Sequence, residues 1–155
     1  MIHKTAIVDR NAKVSSSVKI GAYSVIGPHV EIGDDTIIHS QVNITGNTKI
    51  GKGNKIYPFA AIGNDPQDLK FDGEDTKLVI GDNCIIAGQV GFAGSSTLGN
   101  NVMIGGQAGI SGHLKIGNNV QIGGGSGVIK NIPNNSKVMG YPAKNLKNFI
   151  RENKW

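Results

Sequence analysis

The sequence has few of the residues on which several protein classes depend. It holds one cysteine, one tryptophan and only 5% aromatic residues in 155 positions. The single cysteine, Cys84, cannot form an internal disulfide, so redox chemistry is not expected. No run of residues approaches the length of a membrane span, and the first residues lack the charged and then apolar pattern of a signal peptide. We therefore expect a cytoplasmic protein with no membrane span.

A six-residue period is the dominant feature of the sequence. An aliphatic residue, once replaced by phenylalanine, occupies every sixth position in two long runs. A period of six matches neither a helix nor a simple strand, but it is the signature of a solenoid whose coils each contain three short strands and three corners. We therefore predict an all-β parallel β-helix over residues 1–140. The two runs are Ile2, Val8, Val14, Ile20, Ile26, Ile32, Ile38, Ile44, Ile50, Ile56 and Ile62, then Ile80, Ile86, Phe92, Leu98, Ile104, Ile110, Ile116, Ile122 and Val128.

The other positions of each hexad fit the same architecture. With the aliphatic residue called i, position i+4 is small or β-branched, and it points to the same side of an extended strand as the next i. Both positions are predicted to face the core, and i+3 to face outward. Cys84 falls at i+4, so we predict that it fills the core. Position i+1 is often glycine, which predicts a corner that needs a backbone conformation open to glycine.

The period breaks once, between Gly63 and Val79, where Asp68 and Glu74 would fall at inward positions. This segment is predicted to be a loop thrown out from the solenoid over residues 63–79. Such loops often lie on the binding face of a repeat protein, although a merely tolerated surface loop is the alternative. Residues 141–155 leave the repeat, and we predict a helix from about Ala143 that caps the open end of the solenoid.

Two longer segments resemble known enzymes. In the first half, IGPHVEIGDDT and NDPQDLKFDGEDTKLVIGDN resemble the UDP-N-acetylglucosamine O-acyltransferase that opens lipid A synthesis, including its Gln-Asp-Leu-Lys loop at positions 67–70. In the second half, GGQAGISGH and the later GYPAK are similar to the UDP-3-O-acylglucosamine N-acyltransferase of the same pathway. The two resemblances together cover nearly the whole chain.

The resemblance implies a left-handed parallel β-helix that forms a homotrimer, with active sites in clefts between subunits. It implies transfer of an acyl group from an acyl carrier protein or coenzyme A thioester to a hydroxyl or amine of a UDP-amino sugar, with no bound cofactor and no metal. Gln67, Asp68 and Lys70 would hold the substrate, since amide and carboxylate suit sugar hydroxyls and ammonium suits phosphate. Gln89 and Gln107 are further candidates for substrate binding.

Acyl transfer also needs a general base, for which histidine is the best suited side chain near neutral pH. Both relatives place their catalytic histidine at position i+2, which in this chain is Thr76 or Gly94. His113, at i+3 in GISGHLKIG, is the candidate for a substitute base, or is a binding or merely exposed histidine. The alternative function is a catalytically inactive UDP-sugar-binding or scaffold homologue.

The remaining three histidines are weaker candidates for a functional role. His3 and His39 lie at i+1 corners, where a solvated surface histidine is expected, and His29 is outward and far from the loop in sequence. Four histidines without paired spacing do not predict the zinc site of a solenoid carbonic anhydrase.

A coil of 18 residues would align side chains of successive coils in columns. One predicted column would contain Lys77, Ser95, His113 and Asn131, and another, a structural ladder, would contain Asn83, Asn101 and Asn119.

Charge gives weaker evidence about partners. The formal net charge is +5, and Lys144, Lys147, Arg151 and Lys154 cluster near the end of the sequence. Such a cluster can attract an acidic acyl carrier protein or the phosphates of coenzyme A, although a solvated basic helix is at least as good an interpretation. Nucleic-acid binding is not expected, because no recognised module accompanies the charge.

Overall fold

The structure, a computed structural model, describes residues 1–65 and 69–154. The chain forms a left-handed parallel β-helix of about seven turns with one short helix near its end. This confirms the predicted fold class. Each complete coil contributes one strand to each of three sheets, which we call sheets I, II and III in the order in which the chain visits them.

The strands are short because a corner follows every two to four residues. Sheet I contains β1 (Ile7–Val8), β4 (Val25–Ile26), β7 (Asn43–Ile44), β10 (Ala61–Asn64), β13 (Gly91–Ala93), β16 (Gly109–Ile110) and β19 (Gly127–Val128). Sheet II contains β2 (Lys13–Val14), β5 (Val30–Ile32), β8 (Asn47–Ile50), β11 (Lys77–Ile80), β14 (Thr97–Leu98) and β17 (Lys115–Ile116). Sheet III contains β3 (Lys19–Ile20), β6 (Ile37–Ile38), β9 (Lys55–Ile56), β12 (Ile85–Ile86), β15 (Met103–Ile104), β18 (Gln121–Ile122), β20 (Lys137–Met139) and β21 (Lys144–Asn145).

Pairing between coils follows an 18-residue register with two exceptions. Ile26 pairs with Ile44, 18 positions later, as most strands do. Ile50 instead pairs with Ile80, and the 12 additional residues are those between Asn64, where β10 ends, and Lys77, where β11 begins. The loop is thus shorter than predicted, since residues 63–64 and 77–79 belong to strands. The last coil is two residues short, because Ile116 pairs with Ile132.

The core is a narrow column of the residues predicted to face inward. From Ile20 to Val128 every i position is at most 3% exposed, and most i+4 positions are equally buried. Cys84 is fully buried, and burial raises the pKa of its thiol. Buried hydroxyls bond to backbone, as Ser24 does by donating to the carbonyl of His39 at 2.8 Å. Within residues 1–65 and 69–154, no buried side-chain nitrogen or oxygen lacks a partner.

The left-handed backbone conformation lies at i+3, so the prediction for the i+1 glycines was wrong. At i+3, residues such as Asn83, Gln89 and His113 have φ of 55–61°. Among the i+1 glycines only Gly63 has positive φ. The other i+1 glycines are required for close approach between coils. A Cβ built at Gly99 would lie 2.7 Å from the backbone of Gly117 and would overlap the side chain of Asn118.

One corner, between sheets II and III, carries two asparagine ladders and is called the asparagine corner. The predicted outward ladder is confirmed from Asn101 to Asn119, where Asn101 donates at 3.2 Å, and it continues beyond the prediction from Asn119 to Asn135 at 3.1 Å. A second ladder at i+2 was not predicted. In this ladder the side-chain oxygen of an i+2 residue accepts a hydrogen bond from the backbone N–H of the i+2 residue one coil earlier. The four bonds, each written donor first and 2.7–2.8 Å long, are Lys52 to Asp82, Asp82 to Asn100, Asn100 to Asn118, and Asn118 to Asn134.

The end of the chain turns back on the last coil. Lys144–Asn145 pairs antiparallel with β20, so the helix α1 begins later than predicted and spans Leu146–Asn153. The Asn145 side chain caps it by accepting from the N–H of Lys147 at 3.0 Å. The helix packs on β20 and β21. In the described part of the chain, no helix is long and apolar enough to cross a membrane.

The role of the i+1 glycines can be tested with a pair of alanine variants. Gly99→Ala forces a methyl group against Gly117 and Asn118, so we expect it to lower the free energy of unfolding by about 1–3 kcal/mol. A Cβ at Gly91 meets no atom of its own chain within 4 Å, so in the subunit alone Gly91→Ala should be neutral or stabilise by up to about 1 kcal/mol. Urea unfolding measures both. Equal effects at the two positions would contradict the packing explanation.

Candidate functional site

The interrupting loop leaves the solenoid at the corner between sheets I and II, which we call the loop corner. Its described residues are 27–29, 45–47, 63–65, 69–77, 93–95 and 111–113. Two hydrogen bonds fix the point where the loop departs, one to Asn64 at the end of β10 and one within the coil before it. Thr45 donates its hydroxyl to the side-chain oxygen of Asn64, and Thr48 donates to the carbonyl of Thr45, both at 2.7 Å. The loop therefore departs from a fixed point.

The far end of the loop lies over the early coils and forms a polar cleft of about 390 Å³ with them. Asp75 lines this cleft together with His29 and Asn47. The ion pair of Lys13 and Glu31, 2.7 Å long, forms another part of the wall. The hydrogen bond and charge of Lys13 lower the pKa of Glu31, and Lys13 has its own pKa raised by the same contact.

His29 was not expected near the loop, because the two are far apart in sequence. The 18-residue register could have predicted this proximity. Position 29 lies one coil before Asn47, and Asn47 pairs with Lys77 at the end of the loop. Asp75 and Asn47 were likewise not selected from the sequence.

Thr76 and Gly94, the two alternative positions for a catalytic histidine, prove to be neighbours on successive coils. A Cβ built at Gly94 would lie 2.8 Å from the Thr76 hydroxyl oxygen. A Cβ at Gly112 in the next coil would lie 3.2 Å from the carbonyl oxygen of Gly94. Thr76, Gly94 and Gly112 therefore form one column, called the slot column, which presents a hydroxyl and backbone but no imidazole.

His113 follows directly after the slot column and lies at the same corner as the loop. It is exposed and has φ of 60°, as Ser95 in the preceding coil has φ of 66°. Among the described residues, its ring forms no hydrogen bond. The predicted column does not continue to Asn131, because the short last coil shifts that residue: its side chain accepts from the N–H of Lys115 at 2.8 Å.

The other predicted site residues lie elsewhere or outside the described ranges. Gln89 and Gln107 lie at the corner between sheets III and I, which we call the glutamine corner, so they are not brought together with His113. Lys70 is exposed on the loop. Gln67 and Asp68 fall outside the described residues.

His3 and His39 also lie at the glutamine corner. His3 bonds the hydroxyl of Thr5 at 2.9 Å, and the half-buried ring of His39 stacks on Tyr57 with centroids 4.5 Å apart. His39 is therefore not the simple solvated histidine that was expected. Within residues 1–65 and 69–154, no three His, Cys, Asp or Glu residues converge in a way that could hold a metal ion.

Comparison with known proteins adds independent evidence. The family model for bacterial transferase hexapeptide (six repeats) matches residues 29–64 and 95–130. The acyl-(acyl-carrier-protein) UDP-N-acetylglucosamine O-acyltransferase of Saccharophagus degradans is 52% identical over 85 residues, which are 55% of this chain and 33% of the relative. That of Chlamydia caviae is 49% identical over 55% of this chain and 30% of its own. The match thus spans about a third of the length of these curated relatives.

Solved structures match over nearly the whole chain. LpxA from Acinetobacter baumannii is 30% identical with a TM-score of 0.67, covering 99% of this chain and 78% of that one. UDP-N-acetylglucosamine O-acyltransferase (LpxA) from Moraxella catarrhalis RH4 is 34% identical with a TM-score of 0.59, at the same coverage. The resemblance to the O-acyltransferase is confirmed, and the resemblance of the second half to the N-acyltransferase stays a prediction.

Proposed function

Because the chain belongs to the UDP-N-acetylglucosamine O-acyltransferase family, we propose that it transfers an acyl group from a thioester to a UDP-amino sugar, as in lipid A biosynthesis. The donor is an acyl carrier protein or coenzyme A thioester, and the acceptor is a sugar hydroxyl or amine. The observation that carries the proposal is that the family's loop and the slot column occupy one corner of the solenoid. We place the reaction in the cytoplasm.

The loop corner supplies groups suited to the sugar nucleotide. Lys70 offers an ammonium group for phosphate, and Gln67 and Asp68 offer an amide and a carboxylate for sugar hydroxyls. The cleft beside the loop adds polar groups from Asp75 and Asn47. Since Gly94 and Gly112 have no side chain, an acceptor can approach the backbone of the slot column closely.

The reaction requires a base at this corner. The acceptor oxygen or nitrogen bonds to the thioester carbonyl carbon, the carbon–sulfur bond breaks, and the acceptor's proton passes through the base to the leaving sulfur. We propose His113 for this role because it adjoins the slot column. The absence of a histidine from Thr76 and Gly94 favours the second candidate function, a UDP-sugar-binding or scaffold protein without catalysis.

An acyl-transfer assay separates the two functions. UDP-N-acetylglucosamine and its 3-amino analogue are tested with carrier-protein and coenzyme A donors. We expect turnover, and His113→Ala should lower the rate about a hundredfold or more, the usual contribution of a positioned base. His3→Ala, an exposed histidine at another corner, is the control and should change little. A protein that binds the UDP-sugar but shows no turnover with either donor is the scaffold instead.

The basic end of the chain supports a thioester-bearing partner. From residue 83 onward the sequence has a single acidic residue, Glu152, which pairs with Lys144. The basic residues in that range are Lys115, Lys130, Lys137, Lys144, Lys147, Arg151 and Lys154. We propose that this charge draws in an acidic acyl carrier protein or the phosphates of coenzyme A, an attraction that salt screens.

We also propose that the protein is a homotrimer that associates through sheet I. The outward residues of this sheet form one uncharged column across six coils: Ile7, Val25, Asn43, Ala61, Gly91 and Gly109. In the last coil Tyr141 covers Gly127. Sheets II and III instead present lysines, among them Lys49 and Lys55. An uncharged, small-residue face allows close contact between subunits. It also borders the loop corner, so a partner subunit would complete the site.

Charge placed on sheet I should break the trimer. Gly109→Arg adds a cation to the outward face of sheet I, at a position where a Cβ meets no atom of its own chain within 4 Å. Light scattering should show the mass fall from three chains toward one. Thr97→Arg, outward on sheet II, is the matched control and should stay trimeric. A trimer that survives Gly109→Arg would rule out sheet I as the contact face.

A further inference from the structure

Exposed aromatic rings concentrate at the glutamine corner, away from the loop corner. The chain has only eight Phe, Tyr and Trp residues. Three of them lie here, Tyr57 and Phe59 in one coil and Tyr23 two coils earlier, with Tyr23 67%, Tyr57 37% and Phe59 58% exposed. The ring of His39 stacks on Tyr57 with an interplanar angle of 17°. Because these rings are exposed, they contribute little hydrophobic stabilisation, and the stability of the fold does not explain why aromatic residues occur here.

The backbone of Phe59 strengthens that point. Its φ is 66°, in the left-handed region that a bulky residue seldom adopts. Other coils fill the same hexad position with polar residues such as Asn83 and Asn101, which tolerate this conformation better. An exposed ring in an unfavourable conformation weakens the fold, and such outliers favour a functional explanation.

Phe59 and Tyr57 form the wall of a shallow cleft of about 500 Å³. Gly88, Gly106 and the pair Gln89 and Gln107 of the next two coils also line it. Gln107 donates its amide N–H to Gln89 at 2.8 Å. This bond fixes both amides and leaves an NH₂ of one and an oxygen of the other open to a ligand. The size is within the range of small-ligand sites.

We propose that this cleft, the glutamine-corner cleft, binds an uncharged linear oligosaccharide that runs along the solenoid axis. Aromatic faces pack against the C–H face of a pyranose ring, and the two amides match its hydroxyls as donor and acceptor. Among the described residues no charged side chain lines the cleft, which disfavours a phosphate-bearing ligand. Successive coils lie about 4.8 Å apart, close to the length of one sugar ring, so neighbouring corners can contact neighbouring sugars.

This site is separate from the proposed acyl-transfer site. It lies at a different corner, and none of the described residues of the loop or the slot column lines it. Its existence does not depend on whether the chain transfers acyl groups. An alternative occupant is a second copy of this chain, and the experiment includes an outcome for it.

Titration calorimetry with cellotetraose, cellobiose and glucose tests the proposal on the intact protein. We expect the tetrasaccharide to bind and each shorter sugar to bind more weakly, because fewer coils are contacted. If cellotetraose does not bind at millimolar concentration, the proposal is overturned.

Variants then locate the site. Phe59→Asn removes the ring but keeps a residue that tolerates the left-handed conformation, so we expect affinity to fall at least tenfold while the unfolding temperature stays equal or rises. The double variant Gln89→Asn, Gln107→Asn shortens both side chains, so their amides no longer reach the ligand, and it should weaken binding by a similar factor. Asp35→Asn is the control, since Asp35 is exposed and has φ of 57° but lies at the asparagine corner; its affinity should not change.

The contrary outcomes are equally distinct. Unchanged affinity in Phe59→Asn would place the sugar elsewhere, and loss of affinity in Lys70→Ala alone would place it at the loop. A change of mass by light scattering in Phe59→Asn would show that the ring contacts a second copy instead. Each of these results overturns the proposal.

Discussion

The close stacking of parallel coils is the constraint on which the rest of the structure depends. Backbone N–H groups of one coil bond to carbonyls of the next, as Gly99 does to Ile116 at 2.8 Å and Gly105 does to Ile122 at 2.7 Å. At this spacing an added Cβ would overlap neighbouring atoms at most of the i+1 glycines. Every side chain is then aligned with those of its neighbouring coils, so each corner becomes a column of related groups. The asparagine ladders, the slot column and the glutamine pair are all products of this alignment.

The same constraint explains why the chain can carry a loop without losing its fold. The strands on either side of the 12 inserted residues pair with the coils they would have met, as Val79 pairs with both Lys49 and Thr97. The hydrogen bond between Thr45 and Asn64 holds the departure point of the loop. The solenoid thus acts as a rigid scaffold that holds the inserted loop at a fixed corner, as is common for loops that carry binding sites.

Periodicity in the sequence was sufficient to predict the solenoid, its core and the outward asparagine ladder, because a buried column tolerates only one pattern of apolar residues. The prediction that the i+1 glycines provide a special backbone conformation was wrong. They are needed because the next coil lies close to them, and a single hexad of sequence carries no information about the next coil. The asparagine, glutamine and histidine residues at i+3 did carry the signal for left-handed backbone, as these residues tolerate positive φ. The two-residue shortening of the last coil left no such signal, and Asn131 was misplaced for that reason.

The candidate site was less predictable than the fold. The loop and the position of His113 at one corner follow from an 18-residue register, but the approach of Asp75 to His29 depends on how the loop folds back. Gln89 and Gln107 were predicted to bind substrate. Their separation from His113 follows from counting corners, since they occur one hexad out of phase with it.

The central claim, that the loop corner is where substrate binds, is tested most directly by hydrogen exchange with and without UDP-N-acetylglucosamine. The account predicts slower exchange on ligand binding in residues 69–77, 93–95 and 111–113, with no change in residues 87–89 and 105–107 at the glutamine corner. Protection confined to the glutamine corner, or absent from the loop corner at saturating ligand, would contradict it.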